Sequence, residues 1–289
     1  MYKIVQVGAA GGEAYLLITE QKAALIDSGF AFRAEKLIEN IKKELGDRGL
    51  DHILLTHSHY DHASGAPYCR DHWKESKIIC SEYAANVFTR PGAKKLMSEL
   101  NGEAAKIAGV TYFRPSENEL SADITVKDGD MIDMGELKLR VVEMPGHTKC
   151  SIGFAEDSEK LLVGCETLGV CVPPEGDVVP CFLVSYKDSI AALQRALEFA
   201  PEHLILTPFG LMGKEKAVTV LRTALKRAEE LKDFIVSGHT AGKKQNAIVD
   251  ELKARMYTKE YSGFQPEGAF MINTEHMVAM VIRESAAAV

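Results

Sequence analysis

Short apolar runs open the chain and long amphipathic ones close it. Lys3 to Val7, Ala14 to Thr19 and Ala23 to Ile26 predict three strands, the last two joined across a polar turn at Glu20 to Lys22. Asp27, Ser28 and Gly29 stop the third strand. From Arg33 to Leu45 the apolar positions Ala34, Leu37, Ile38, Ile41 and Leu45 recur at helical spacing, and Ile53 to Leu55 is a compact apolar strand after that helix. The first 60 residues therefore read β-β-β-α-β.

A second group of short strands is predicted at Lys77 to Cys80, Ile124 to Val126, Met131 to Asp133, Leu137 to Glu143, Ser151 to Ala155 and Lys160 to Val163, with a helical stretch between Glu82 and Gly109. Strands in two batches, each followed by helices, suit two packed sheets flanked by helices. After Pro208 the pattern becomes long and charged. Helices are expected over roughly 214–237, 243–259 and 267–285, broken at Gly238 to Gly242 and Gly263 to Pro266. The stripe Val218, Leu221 and Leu225 needs a partner surface. The expected organisation is an α/β domain over 1–210 and a helical C-terminal extension over 211–289 packed on it.

Composition narrows the function. With 289 residues and 46% hydrophobic positions the chain can bury a full core. The net charge of −7, with Lys and Arg alternating with acids, gives no field to attract a phosphate backbone, so nucleic acid is not an expected partner. No apolar run approaches the roughly 20 residues that span a bilayer, so no membrane partner is expected either. Met1 leads almost directly into the first strand, with no secretory leader in view. Cys69, Cys80, Cys150, Cys165, Cys171 and Cys181 lack the paired spacing of a structural zinc site. They read as reduced thiols, and the expected location is cytoplasmic.

The string that carries chemistry is Thr56-His57-Ser58-His59-Tyr60-Asp61-His62, directly after the strand Ile53 to Leu55. In a strand-to-helix loop His57 and His59 alternate to one side and can share one ion, while Asp61 and His62 turn towards a second. Imidazole and carboxylate suit zinc, iron or manganese, and a divalent ion of this kind lowers the pKa of a bound water to around 7. A helix cap would need Asp61 but not three histidines.

On these residues the chain resembles the metallo-β-lactamase superfamily, in order from about residue 3 to 210. The Asp-x-Gly turn after an early strand is matched by Asp27-Ser28-Gly29, the H-x-H-x-D-H loop by residues 57 to 62, and the later histidine turn by Pro145-Gly146-His147-Thr148. The resemblance implies an αββα sandwich of two mixed sheets flanked by helices, with a metal edge that the C-terminal extension covers. It implies one or two divalent ions, zinc first and iron or manganese next: His57, His59 and His147 for one, Asp61, His62 and Glu166 for the other, with Asp61 also orienting the nucleophile. Asp27 is expected to hold the loop beneath the site rather than to bind metal.

Two departures bear on the second ion. The family's bridging aspartate is here Glu166, in Gly164-Cys165-Glu166-Thr167-Leu168, and its last histidine is replaced in Thr207-Pro208-Phe209-Gly210 by Phe209, which coordinates nothing. That site is expected to be weaker, or completed by His239, His276 or Cys165. The expected activity is hydrolysis of a small-molecule thioester, lactone or other ester by metal-bound hydroxide. The alternatives are a metal-retaining ligand-binding or regulatory protein, motivated by Phe209, and di-iron redox or oxygen chemistry, disfavoured because His59 stands where iron-type relatives carry glutamate. The apolar tail also makes a homodimer an expectation.

Overall fold

The computed structural model of the chain describes residues 2–9, 11–172, 177–206, 210–264 and 266–287. Its strands are β1 (Lys3–Gln6), β2 (Tyr15–Ile18), β3 (Ala23–Ile26), β4 (His52–Leu54), β5 (Lys77–Ser81), β6 (Ile124–Val126), β7 (Met131–Asp133), β8 (Lys138–Glu143), β9 (Ile152–Glu156), β10 (Leu161–Val163), β11 (Val170–Val172), β12 (Asp177–Val179), β13 (His203–Leu206) and β14 (Gly210–Gly213). The helices are α1 (Ala34–Leu45), α2 (Tyr60–Ala63), α3 (Ala66–His72), α4 (Glu82–Thr89), α5 (Pro91–Ile107), α6 (Tyr186–Phe199), α7 (Lys214–Thr240), α8 (Gln245–Met256), α9 (Lys259–Phe264) and α10 (Glu267–Ala287).

Two mixed six-stranded sheets result, flanked by helices and followed by a helical C-terminal region. The first has the order β1-β2-β3-β4-β5-β6, antiparallel through β3 and parallel from β3 to β6. The second runs β14-β13-β10-β9-β8-β7, antiparallel at β13/β14 and β7/β8 and parallel at β10/β13, and β11 pairs with β12 as a separate hairpin. All four residues of β3 and all three of β10 are buried. Their unbroken apolar runs are what strands covered on both faces require. Among the described residues, no helix is long and apolar enough to cross a membrane.

The chain divides into two compact units, Met1–Val142 with Phe154–Glu156, and Glu143–Gly153 with Asp157–Val289. The expected boundary at residue 210 falls inside the second. In the first unit Leu16, Leu25, Ile53 and Leu54 are fully buried, and Leu37 and Ile41 of α1 are buried. That helix stops at Gly46, whose positive φ of 60° glycine adopts without a Cβ penalty.

In the second unit the helices after β14 build their own core. Ala228, Leu231 and Ile235 of α7 pack with Ile248, Val249 and Leu252 of α8, with Met277, Val278 and Val281 of α10, and with Phe182. The sequence pattern does not mark α6, α9, the β11/β12 hairpin or the β13/β14 pair of this unit. The strands among them are three or four residues long, as are β6 and β7, which the pattern does mark, so length alone does not separate them.

Candidate functional site

In the first unit, the histidine loop is held from below by the turn that ends β3. Asp27 adopts a φ of 53°, and its Oδ1 accepts the Thr56 backbone N–H at 2.8 Å. The Thr56 hydroxyl donates to Asp27 Oδ2 at 2.8 Å, which leaves its oxygen to accept the Nδ1–H of His57 at 3.0 Å. The Nδ1–H of His62 donates to Asp27 Oδ2 at 2.8 Å. One carboxylate therefore sets the ring orientation of two imidazoles, directly for His62 and through a hydroxyl for His57.

The backbone secures the same junction. Both the N–H and the hydroxyl of Ser28 donate to the His62 carbonyl, at 2.7 and 2.8 Å. A Cβ on Gly65 would lie 2.1 Å from the Ser28 carbonyl oxygen, so only glycine lets these two segments approach. The His57 ring lies 4.7 Å from that of His59 and 4.2 Å from that of His62. His62 Nε2 is 3.7 Å from Asp61 Oδ2, and His57 is fully buried. The loop thus brings His57, His59, Asp61 and His62 together.

Beside them lies Glu13, a residue that no motif in the sequence singles out. It is buried and accepts the Gly11 N–H at 3.0 Å. Burial pushes its carboxyl pKa up; the Gly11 hydrogen bond and the field of His62 pull it down, and the charge of Asp61 adds to the rise.

The second unit carries His147 and Glu166. His147 sits in the turn after β8 at Gly146, whose φ is 137° and where a Cβ would come 2.0 Å from Ser189 Oγ. The Gly146 carbonyl accepts N–H groups from Leu183, Val184 and Ser185, which lashes residues 183–185 to the turn. The Nδ1–H of His147 donates to the Cys181 carbonyl at 2.9 Å, and its Nε2 lies 2.7 Å from Glu166 Oε2. Thr167, next to Glu166, donates its hydroxyl to the Met144 carbonyl at 2.6 Å and accepts the His147 N–H at 3.2 Å. The 3-10 turn bearing Glu166 is thereby tied to the turn bearing His147, and glutamate's extra methylene reaches the ring. Burial of His147 opposes its charge, yet the side chains of Cys181 and Glu166 outweigh it and hold the pKa well above the usual imidazole range.

The residues expected to complete the second ion fare differently. Phe209 lies outside the described residues. His239 and His276 are exposed on α7 and α10, and His276 Nδ1 is 2.9 Å from the Ile272 carbonyl of its own helix. Among the described residues neither joins a group of side chains that could hold a metal. Cys165 is buried; burial raises its thiol pKa, with hydrogen bonds from Thr167 opposing, so it remains a protonated thiol. Cys181, whose carbonyl holds the His147 ring, is a further member of this unit's polar group.

The chain is a member of the metallo-beta-lactamase superfamily, whose family model matches residues 7–239. It is 25% identical over 239 residues to a metallo-beta-lactamase fold-containing protein of Sulfurisphaera tokodaii, covering 79% of this chain and 84% of that one. Over 143 residues it is 29% identical to the hydroxyacylglutathione hydrolase GloC of Haemophilus influenzae, which covers 49% of this chain and 59% of the relative. The structure of a metallo-beta-lactamase family protein from Thermus thermophilus superposes with a TM-score of 0.63 at 15% identity, over 98% of this chain and 94% of that one. Within this family His57, His59, Asp61, His62, His147 and Glu166 are a donor set that could hold divalent metal.

Proposed function

We propose that the chain is a metal-dependent hydrolase of small-molecule esters, with thioesters and lactones as the first substrate classes. His57, His59, Asp61, His62, His147 and Glu166 serve as metal donors, and zinc is the first choice of ion. The observation that carries this reading is the shared arrangement of three buried imidazoles. His57, His62 and His147 each have Nδ1 engaged, by Thr56, Asp27 and the Cys181 carbonyl, so that each ring presents Nε2, which in His147 lies against Glu166 Oε2 and in His62 near Asp61 Oδ2. Acceptors on Nδ1 are the usual accompaniment of metal-binding histidine, because they fix the tautomer and raise ligand basicity.

When bound, a divalent ion supplies acidity to a coordinated water near neutral pH and Lewis-acid activation of a carbonyl. The chain's own contribution is orientation. Asp27 locks the loop, Asp61 stands beside His62 Nε2 as the carboxylate that orients the attacking water, and Glu166 adds a second carboxylate at His147. The relative named hydroxyacylglutathione hydrolase points to acylated thiols as the class to try first.

The test is a panel of S-acylglutathione thioesters, γ-lactones and aryl esters offered to protein of measured metal content. At least one class is expected to turn over, with loss of roughly 10²-fold or more in His59→Ala. A fully metal-loaded wild type that turns over none of them overturns the hydrolase reading and leaves the ligand-binding alternative.

A further inference from the structure

A row of aromatic side chains in the first unit stays at its surface. Phe88 and Phe154 are buried, whereas Phe30, Phe32, Tyr60 and Phe113 remain partly exposed. The Phe30 ring lies 5.7 Å from that of Tyr60 and 5.0 Å from that of Phe32, which in turn lies 6.3 Å from Phe113. The row begins in the histidine loop, since Tyr60 stands between His59 and Asp61. Phe30 is seated against that loop by Gly12, where a Cβ would come 2.7 Å from the ring Cδ2 and 3.2 Å from the Asp61 carbonyl oxygen; only a residue without a side chain leaves the ring this seat. Two residues earlier Ser28 is tied to the His62 carbonyl, and the Gly29 carbonyl accepts the Gly65 N–H at 3.0 Å. Beyond Phe30, the Ala31 N–H donates to Oδ1 of Asn101 on α5 at 3.0 Å, and the buried Asn101 donates through Nδ2 to Ser64 Oγ at 2.8 Å and to the Met97 carbonyl at 2.9 Å. The turn that carries Phe30 and Phe32 is thereby fixed from both sides to the segment that follows His62. The Arg33 guanidinium, 5.4 Å over the Phe32 ring, covers the outer part of the row.

We propose that Phe30, Phe32 and Tyr60 form the subsite for an apolar arm of the substrate, an aryl group first, while the histidine loop holds its reacting centre. The assignment rests on the ester hydrolase reading and narrows its substrate class to esters and thioesters that carry such an arm. Contiguous apolar surface that a chain with an ample core leaves exposed marks a place where something binds, and here that surface runs straight into the donor loop. The rings are tilted by 33° and 59° to their neighbours, so they offer both faces and edges, the two geometries in which a further aromatic ring gains more than its buried area. Their backbone is already held by Asn101, Ser28 and Gly29, so little freedom is lost when the arm docks.

The experiment is calorimetric binding of benzylphosphonate and methylphosphonate, which share a charged head and differ in the apolar arm, to metal-loaded wild type, Phe30→Ala and Phe32→Ala. Burial of the phenyl ring predicts that wild type binds benzylphosphonate about 10-fold or more tightly than methylphosphonate. In each variant that ratio is expected to fall to within about threefold. A merely structural role for the rings weakens both phosphonates alike and leaves the ratio where it was, so the ratio separates binding from folding. Phe32→Ala, whose ring does not sit on Gly12, keeps the test open if Phe30→Ala does not fold. Ile124→Ala removes another exposed apolar side chain, on β6, and is expected to keep the wild-type ratio. A wild type that shows no preference or binds neither phosphonate, a ratio unchanged in the phenylalanine variants, or an equal loss in Ile124→Ala overturns the proposal. If no ester is hydrolysed, the hydrolase reading fails on its own, and the two phosphonates still decide whether the aromatic row takes an apolar arm.

Discussion

Asp27 shows how much one side chain can organise without touching substrate. It accepts from the Thr56 amide and hydroxyl and from His62, so removing it frees two imidazoles at once. Asp27→Ala is expected to weaken metal binding by roughly 10- to 100-fold, read by competition with a chromogenic chelator; affinity equal to wild type contradicts the linkage. Glu13 gives a pH dependence. Its folded pKa lies above that of a free glutamate near 4.3, so the stability this group contributes is fully present below that pH and is lost as pH rises through the folded value. In metal-free protein, Glu13→Gln should therefore gain on wild type in urea melts as pH rises from about 4 to about 7, and a constant difference across that range argues against it. Asp27 was legible as scaffolding because an Asp-x-Gly turn follows a strand. Glu13 and Cys181 were not, because their roles come from neighbours remote in sequence, and no local spacing marks them.

Turns and caps position the second set of donors. Gly146→Ala would place a methyl against Ser189 Oγ at a φ that L residues rarely adopt, so the His147 turn must shift. The expected outcome is loss of metal together with a drop in stability of about 1–3 kcal/mol or more; a variant with wild-type metal content contradicts the role given to that turn. The Gly146 carbonyl also holds the segment that leads into helix α6, and Ser185 caps that helix by accepting the Asp188 N–H. Ser185→Ala should cost about 1 kcal/mol in chemical denaturation. This helix could have been found from sequence: Ser185 stands three residues before Asp188, and Ile190, Leu193 and Leu197 recur at helical spacing behind it. The long helices were legible because period and length both marked them. The β11/β12 and β13/β14 hairpins were not, although strands as short as β6 and β7 were, because no local spacing marks which segments pair.

For the molecule as a whole, the two mixed sheets and the helical C-terminal region agree with the pattern of the sequence, and the family model spans both the sheets and part of the helices. What pattern could not supply is the contribution of those last helices, where α8 and α10 close a core on α7. Histidines from turns 90 residues apart in sequence, His57 and His147, are proposed to serve metal together. Elemental analysis of wild type, His57→Ala, His147→Ala and the double variant, each purified identically and dialysed without chelator, tests it most directly. Stoichiometric divalent metal in the wild type and a marked loss in either single variant is the predicted result. A wild type without bound metal, or a double variant that retains the wild-type content, contradicts it.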